Sequence, residues 1–160
     1  MTPAEMAELH RAEPTGLRAW SEAEFSAMLC ASNALSVTCN TGFAVGQIIL
    51  DEAELFLIIT KPENRKQGVG RRILATFEQQ AFQNAVRRII LEVADTNTAA
   101  RHFIAQTGTN RSQCVKTIIP SPTEAMLMQS SWKNTCKKQL KTQNKFFCFP
   151  QKFVKNQLTI

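Results

Sequence analysis

The chain contains no tyrosine, so no phenol is available to any reaction it performs. It has only two histidines, His10 and His102, far apart and without companion ligands. The five cysteines, Cys30, Cys39, Cys114, Cys136 and Cys148, form no Cys-x-x-Cys pair. Neither zinc-ligand spacing nor a disulfide framework follows from that pattern, and the expectation is reduced thiols and no metal. No uninterrupted apolar stretch approaches the roughly 20 residues that cross a bilayer. The first residues carry Glu5, Glu8 and Glu13 in place of a basic and then apolar leader. A cytoplasmic protein without membrane contact is expected.

Acidic residues are missing altogether after Glu124, while Lys133, Lys137, Lys138, Lys141, Lys145, Lys152 and Lys155 follow it. Removing those seven from the 19 basic residues leaves 12 against 13 acids. The body is therefore near neutral, and the formal charge of +6 belongs to the tail. A nucleic-acid role argued from charge would concern the tail alone, for example Phe146-Phe147-Cys148-Phe149 among its lysines. Direct nucleic-acid binding by the body is not expected. A hydrophobic content of 44% excludes wholesale disorder, and 160 residues fit one domain with a real core.

What the chain does have is a strand, a basic loop and a helix in immediate succession. Leu55-Phe56-Leu57-Ile58-Ile59-Thr60 reads as a buried strand, and Pro62 stops it. Gly70, Ile73, Leu74, Phe77 and Ala81 then recur at helical spacing. Between them lies Arg65-Lys66-Gln67-Gly68-Val69-Gly70-Arg71-Arg72. Glycines that let successive N–H groups turn to one point, next to a helix N-terminus, make an anion cradle. The four cations Arg65, Lys66, Arg71 and Arg72 suit the same sign. An ordinary solvated loop is the alternative. No Gly-Lys-Ser/Thr follows, which excludes a nucleoside-triphosphate loop, and Ile73 stands where a dinucleotide fingerprint needs its third glycine.

Around this centre, Thr2-Pro3-Ala4-Glu5 and Ser21-Glu22-Ala23-Glu24 are capping boxes, predicting helices to about Arg11 and Leu29. Trp20, ahead of the second cap, either staples that helix or lines a cleft. Strands are predicted over Ala34–Cys39, Phe43–Leu50 and Glu54–Thr60, the first two joined by a turn at Asn40-Thr41-Gly42. The helix after the loop should end near Asn84, a strand should span Arg88–Val93, and Asn97 should cap a helix to about Gln106. Gly108 should end that helix. This order implies a mixed α/β sheet flanked by helices. Glu92 lies in the apolar run Ile89-Ile90-Leu91-Glu92-Val93, whose continuity predicts cover on both faces. A carboxylate there needs a partner or an open cleft, and an apolar setting would raise its pKa towards that of a general base. A buried ion pair or a solvent-facing strand end is the alternative.

Arg65-Lys66-Gln67-Gly68-Val69-Gly70 resembles the Arg/Gln-x-x-Gly-x-Gly/Ala signature of the GNAT N-acetyltransferases. Leu50-Asp51-Glu52-Ala53-Glu54-Leu55-Phe56, Leu91-Glu92-Val93, Asn97 and Trp20-Ser21-Glu22 are similar to its ribosomal-protein-alanine N-acetyltransferases, although Ala19 stands where a proline is usual. The resemblance covers roughly residues 17 to 108. It implies a single GNAT-type domain with a mixed, largely antiparallel sheet flanked by helices. It also implies acetyl-CoA as cosubstrate, held at the pyrophosphate by Lys66, Gln67, Gly68, Val69, Gly70 and Arg71. The pantetheine arm would lie along Ile58, Ile59 and Thr60, with Asn97 as a further cofactor contact and Glu92 as general base. The implied substrate is the N-terminal alanine amine of a ribosomal protein. A small amine as acceptor, or a non-catalytic CoA-binding or ribosome-associated protein, remains open.

The family's general-acid tyrosine falls at Ile104, and His102 should point to the other side of that helix. After Gly108 the family continues towards Asn-Tyr-Tyr-Pro, where this chain has Lys116-Thr117-Ile118-Ile119-Pro120. Codons AAA ACT ATT ATC CCN encode the latter and, two nucleotides later, the former. Residues 109–124 are thus read as frameshifted or as true divergence. The expected domain is 1–128, followed by an irregular basic tail, 129–160.

Overall fold

The computed structural model describes residues 1–13, 18–94 and 96–107, together with the backbone of two further strands, 114–119 and 157–158. Two helices open the chain, α1 (Pro3–Arg11) and α2 (Glu22–Leu29). Three strands follow, β1 (Ala34–Cys39), β2 (Gly42–Ile49) and β3 (Glu52–Thr60). A 3-10 turn (Pro62–Asn64) leads into the long helix α3 (Val69–Gln83), then β4 (Arg88–Ala94), α4 (Thr98–Gln106), β5 (Cys114–Ile119) and the two-residue β6 (Gln157–Leu158).

Local chemistry sets the helix starts. Thr2 and Ser21 accept from the backbones of Glu5 and Glu24, whose side chains reach back to complete both capping boxes. Asn97 accepts from the Ala100 amide at 3.0 Å and caps α4. At the second box, Arg18 grips Glu24 through two bonds of 2.9 and 2.6 Å. That grip, with the Ser21 bonds, holds the Glu24 carboxyl down at about 2 against an ordinary 4.5. The lowered folded pKa means stability present above about pH 4.5 and lost as pH falls towards 2. Glu24→Gln is expected to cost about 1 kcal/mol at neutral pH, since Arg18 is half exposed. Urea melts at pH 7 and pH 3 check this: the variant's deficit should shrink at the lower pH.

The sheet runs β1-β2-β3-β4-β5. The β1–β2 and β2–β3 ladders are antiparallel, whereas β3–β4 and β4–β5 are parallel. The sheet is mixed and flanked by helices, as expected, and the first hairpin turns at Asn40-Thr41, with Gly42 already paired to Cys39. Gly42 instead serves close approach: a Cβ there would meet the Ile59 carbonyl at 2.4 Å and Ile73 at 2.9 Å, and one on Gly46 would meet Phe77 at 2.9 Å. The two glycines make a shallow bed in which α3 lies against β2.

Two cores form, one on each face. Ile73, Leu74, Phe77 and Ala81 of α3, with Ala100 and Ile104 of α4, cover Ala44, Ala53, Leu55, Ile58, Ile89, Leu91 and Val93. Met6 and Ala7 of α1 and Phe25 and Met28 of α2 cover Phe43, Val45, Leu57 and Ile59 on the other face. Trp20 belongs to this second core, its ring 5.3 Å from Phe25 and 6.1 Å from Phe56, and its amide donates to buried His10 Nδ1 at 3.1 Å.

Among the described residues no β4 residue joins the second core, which differs from the expectation that both faces of this strand are covered. Burial alternates along β4: Ile89, Leu91 and Val93 are buried, while Ile90, Glu92 and Ala94 on the opposite face are only partly so. The apolar run misled because Ile90 is half open. The expected boundary at 128 and the tail lie outside the described residues, apart from Gln157–Leu158.

Candidate active site

The site begins with a flaw in β3. Val45 pairs with Leu57 and Gly46 with Leu55, so Phe56 is an extra, bulged residue. Bulges bend a strand and raise its twist. At the same place β3 leaves β4: their parallel ladder runs from Glu52↔Arg88 to Leu55↔Leu91 and stops. Beyond it the two strands part, with Leu57–Thr60 on one arm of a V and Glu92–Ala94 on the other. Glu92 is therefore the first β4 residue past the parting, half-buried on the face that none of the described helices covers. Glu54 shares that face, opposite Ile90, with Gln47 Nε2 donating to its Oε2 at 3.3 Å. Its alternation with Ala53 and Leu55 was the sequence signal for it.

The basic loop follows the end of β3 and leads into α3. Lys66 (φ 58) and Gly68 (φ 76) are both left-handed. Gly68 is the N-cap of α3, which has no side-chain cap. The first bond inside the helix runs from the Arg72 amide to the Gly68 carbonyl at 3.1 Å, so the earlier amides of that turn have no helical partner. A Cβ on Gly68 would meet nothing within 4 Å. This is an open concavity of amides at the positive end of a 15-residue helix.

Two of the four cations assigned to the cradle are committed elsewhere. Arg65 bonds the Glu13 carboxylate, whose side chain is only 2% exposed, and its Nε donates to the Thr60 carbonyl at 3.1 Å. It bolts the loop to the segment just after α1 and to the end of β3. Arg71 donates to the Gln106 carbonyl at 2.9 Å, tying α3 to the last turn of α4. Lys66 and Arg72 are exposed. Glu13 could not be foreseen from the sequence, since it lies 52 residues before its partner.

Ile58, Ile59 and Thr60 pair with Ala44, Phe43 and Gly42 along one edge of β3. Thr60 is 1% exposed, and its hydroxyl finds no hydrogen-bond partner among the described residues. Asn97 sits at the head of α4, its carboxamide oxygen engaged by the cap. Ile104 is 3% exposed within the α3–α4 core, whereas His102 is exposed and bonded to Gln106 at 2.7 Å. A separate cleft of about 610 Å³ lies between α1 and the turn after β3, lined by Glu5, Glu8, Asn40, Lys61 and Glu63 among others.

Residues 4–108 match the model of the acetyltransferase (GNAT) family, and the chain belongs to that family. Its members use acetyl-CoA. The chain is 33% identical over 79 residues to the ribosomal protein bS18-alanine N-acetyltransferase of Escherichia coli K12, covering 49% of this chain and 53% of that protein. It is 35% identical over 81 residues to the enzyme of that name from Haemophilus influenzae, covering 51% and 55%. The chain thus spans about half the length of the curated relatives it matches. Among solved structures, the Escherichia coli ribosomal-protein-alanine N-acetyltransferase superposes with a TM-score of 0.56 at 30% identity, over 66% of this chain and 69% of that one. An aminoglycoside acetyltransferase from a soil metagenome, solved with sisomicin, shares the fold at 11% identity and a TM-score of 0.55, over 71% and 82%.

Proposed function

We propose that the chain is a cytoplasmic, acetyl-CoA-dependent peptide α-N-acetyltransferase acting on the N-terminal alanine of a ribosomal protein. The observation that supports this reading is the parting of β3 from β4 after Leu55↔Leu91, with half-buried Glu92 the first residue of β4 beyond it and the left-handed loop of Lys66 and Gly68 following β3. In this reading the amides of Lys66, Gln67, Gly68, Val69, Gly70 and Arg71 receive the cofactor's pyrophosphate. The backbone of Ile58, Ile59 and Thr60 borders its pantetheine arm, and Asn97 makes a further contact. Bound acetyl-CoA supplies an activated acetyl thioester.

Glu92 does the work on the acceptor side. An α-amine has a pKa of roughly 8 and is mostly protonated near neutrality. The carboxylate takes that proton, directly or through a water, and leaves a neutral nitrogen lone pair. Its half-open position lets an amine approach from the uncovered face. The near-neutral body gives no reason to invoke nucleic acid, and no described helix is long and apolar enough to cross a membrane.

A second reading, a CoA-binding protein without turnover, is favoured by Ile104. The chain has no phenol to protonate the leaving thiolate, and Ile104 fills its place with packed hydrocarbon. A thiol of pKa about 8.5 can leave unaided, but slowly. Ile104→Tyr must enlarge a side chain inside a core, so a loss of about 1–3 kcal/mol in stability is expected. If the missing acid is the sole catalytic defect, the rate should still rise roughly tenfold or more at unchanged acetyl-CoA affinity. Thermal melts and single-turnover assays read the two effects separately.

The proposed activity is tested by acetylation of alanine-starting peptides alongside free polyamines. Product on the peptide α-amine is expected. Product on polyamines alone would assign a small-amine acceptor, and acetyl-CoA binding without product on either would favour the non-catalytic reading.

A further inference from the structure

The V between β3 and β4 has an occupant from the chain itself. β6, Gln157–Leu158, pairs in parallel with Leu57 and Ile58 of β3 and lies beside β4. We propose that this segment is an autoinhibitory strand, competing with acetyl-CoA for the edge of β3 that the parting exposes. The proposal rests on the reading that the pantetheine arm runs along Ile58–Thr60.

Strand geometry makes the competition exclusive where the two overlap, at Ile58. A strand has two hydrogen-bonding edges, and β2 holds one of them at these residues, through Val45↔Leu57 and Ala44↔Ile58. The other edge is β4's only as far as Leu55. From Leu57 onward that second edge can take one partner, either β6 or a ligand whose amides pair as a strand would. Competition is also reversible. Two residues form a marginal strand that opens readily, so the segment lowers apparent affinity without blocking the site outright. The edge becomes available at the bulged residue Phe56, where the pairing of β3 with β4 has stopped.

The test compares the full chain, a chain ending at Asn156, and L158P, which removes the Leu158 amide. Acetyl-CoA affinity is measured by calorimetry, and hydrogen exchange is followed in peptides covering 55–60 and 153–160. Both variants should bind acetyl-CoA about tenfold more tightly than the full chain, or about 1.4 kcal/mol. In the full chain, acetyl-CoA should deprotect 153–160 while 55–60 stays protected. Equal affinity in all three proteins, with 153–160 still protected under saturating acetyl-CoA, would overturn the proposal and leave the cofactor site standing. No binding to any of the three would overturn both. If either variant fails to fold, the exchange experiment on the full chain decides alone.

Discussion

Glu92→Gln should lower turnover by about 10²- to 10⁴-fold, the usual contribution of a positioned proton acceptor, while acetyl-CoA binds as before. The glutamine keeps the shape and the half-buried setting of the side chain but cannot accept the amine's proton. The loss should therefore appear in kcat and not in cofactor affinity. It should also shrink as pH rises from 6 to 9, because the acceptor α-amine, with a pKa of roughly 8, increasingly arrives neutral. A variant that matches the parent across that range would leave Glu92 a structural role. Glu54 gives the useful contrast. It shares the open face but is engaged by Gln47 on the neighbouring strand, so Glu54→Gln should change the rate far less.

Gly68→Val should abolish the thermal stabilisation conferred by acetyl-CoA. At a ligand concentration 100 times Kd, one-site linkage contributes about 2.7 kcal/mol, or roughly 5 to 10 °C for a chain of this size. Gly68 holds φ at 76°, which a β-branched residue adopts only with strain of order 1–3 kcal/mol. Relaxing that strain turns the amides of the cradle away from their common point. The apo protein should lose no more than that strain, since a side chain at this position meets no neighbour. Gly70 is the poorer choice, being buried in the first turn of α3, where added bulk would disturb packing as well as binding. Differential scanning fluorimetry with and without acetyl-CoA checks the result. An undiminished rise in Gly68→Val would move the anion site away from this loop.

What the sequence made legible was local. Thr2 with Glu5, Ser21 with Glu24, and Asn97 with Ala100 sit within three residues of one another, and each started a helix where expected. The spacing of Ile73, Leu74, Phe77 and Ala81 marked the buried face of α3 in the same way. Most of the candidate site was harder to read because it is made by meetings between distant segments. The bulge at Phe56 is a mismatch of register between β2 and β3, and neither strand announces it alone. Ile89-Ile90-Leu91 looked covered on both sides because hydrophobicity reports what a residue tolerates, not which helices reach it. Arg65 looked like a ligand for an anion, and its ion partner was Glu13. Gln157–Leu158, in a tail read as irregular, carried no strand signal of its own. Its pairing depends on an edge that only the finished sheet exposes.

The bolt from Arg65 to Glu13 has a kinetic consequence. The loop beside β3 could form early, since its own residues are contiguous, but its anchor lies 52 positions upstream. Joining them requires the closure of a long stretch of chain, whose entropy must be met before the contact offers any return. Glu13 follows α1, which docks on the opposite face of the sheet from α3, so the anchor engages once β2 and β3 have paired and α1 has packed against them. During refolding, the ability to capture a pyrophosphate should therefore be among the last properties to appear, trailing helical content and even burial of the aromatic residues.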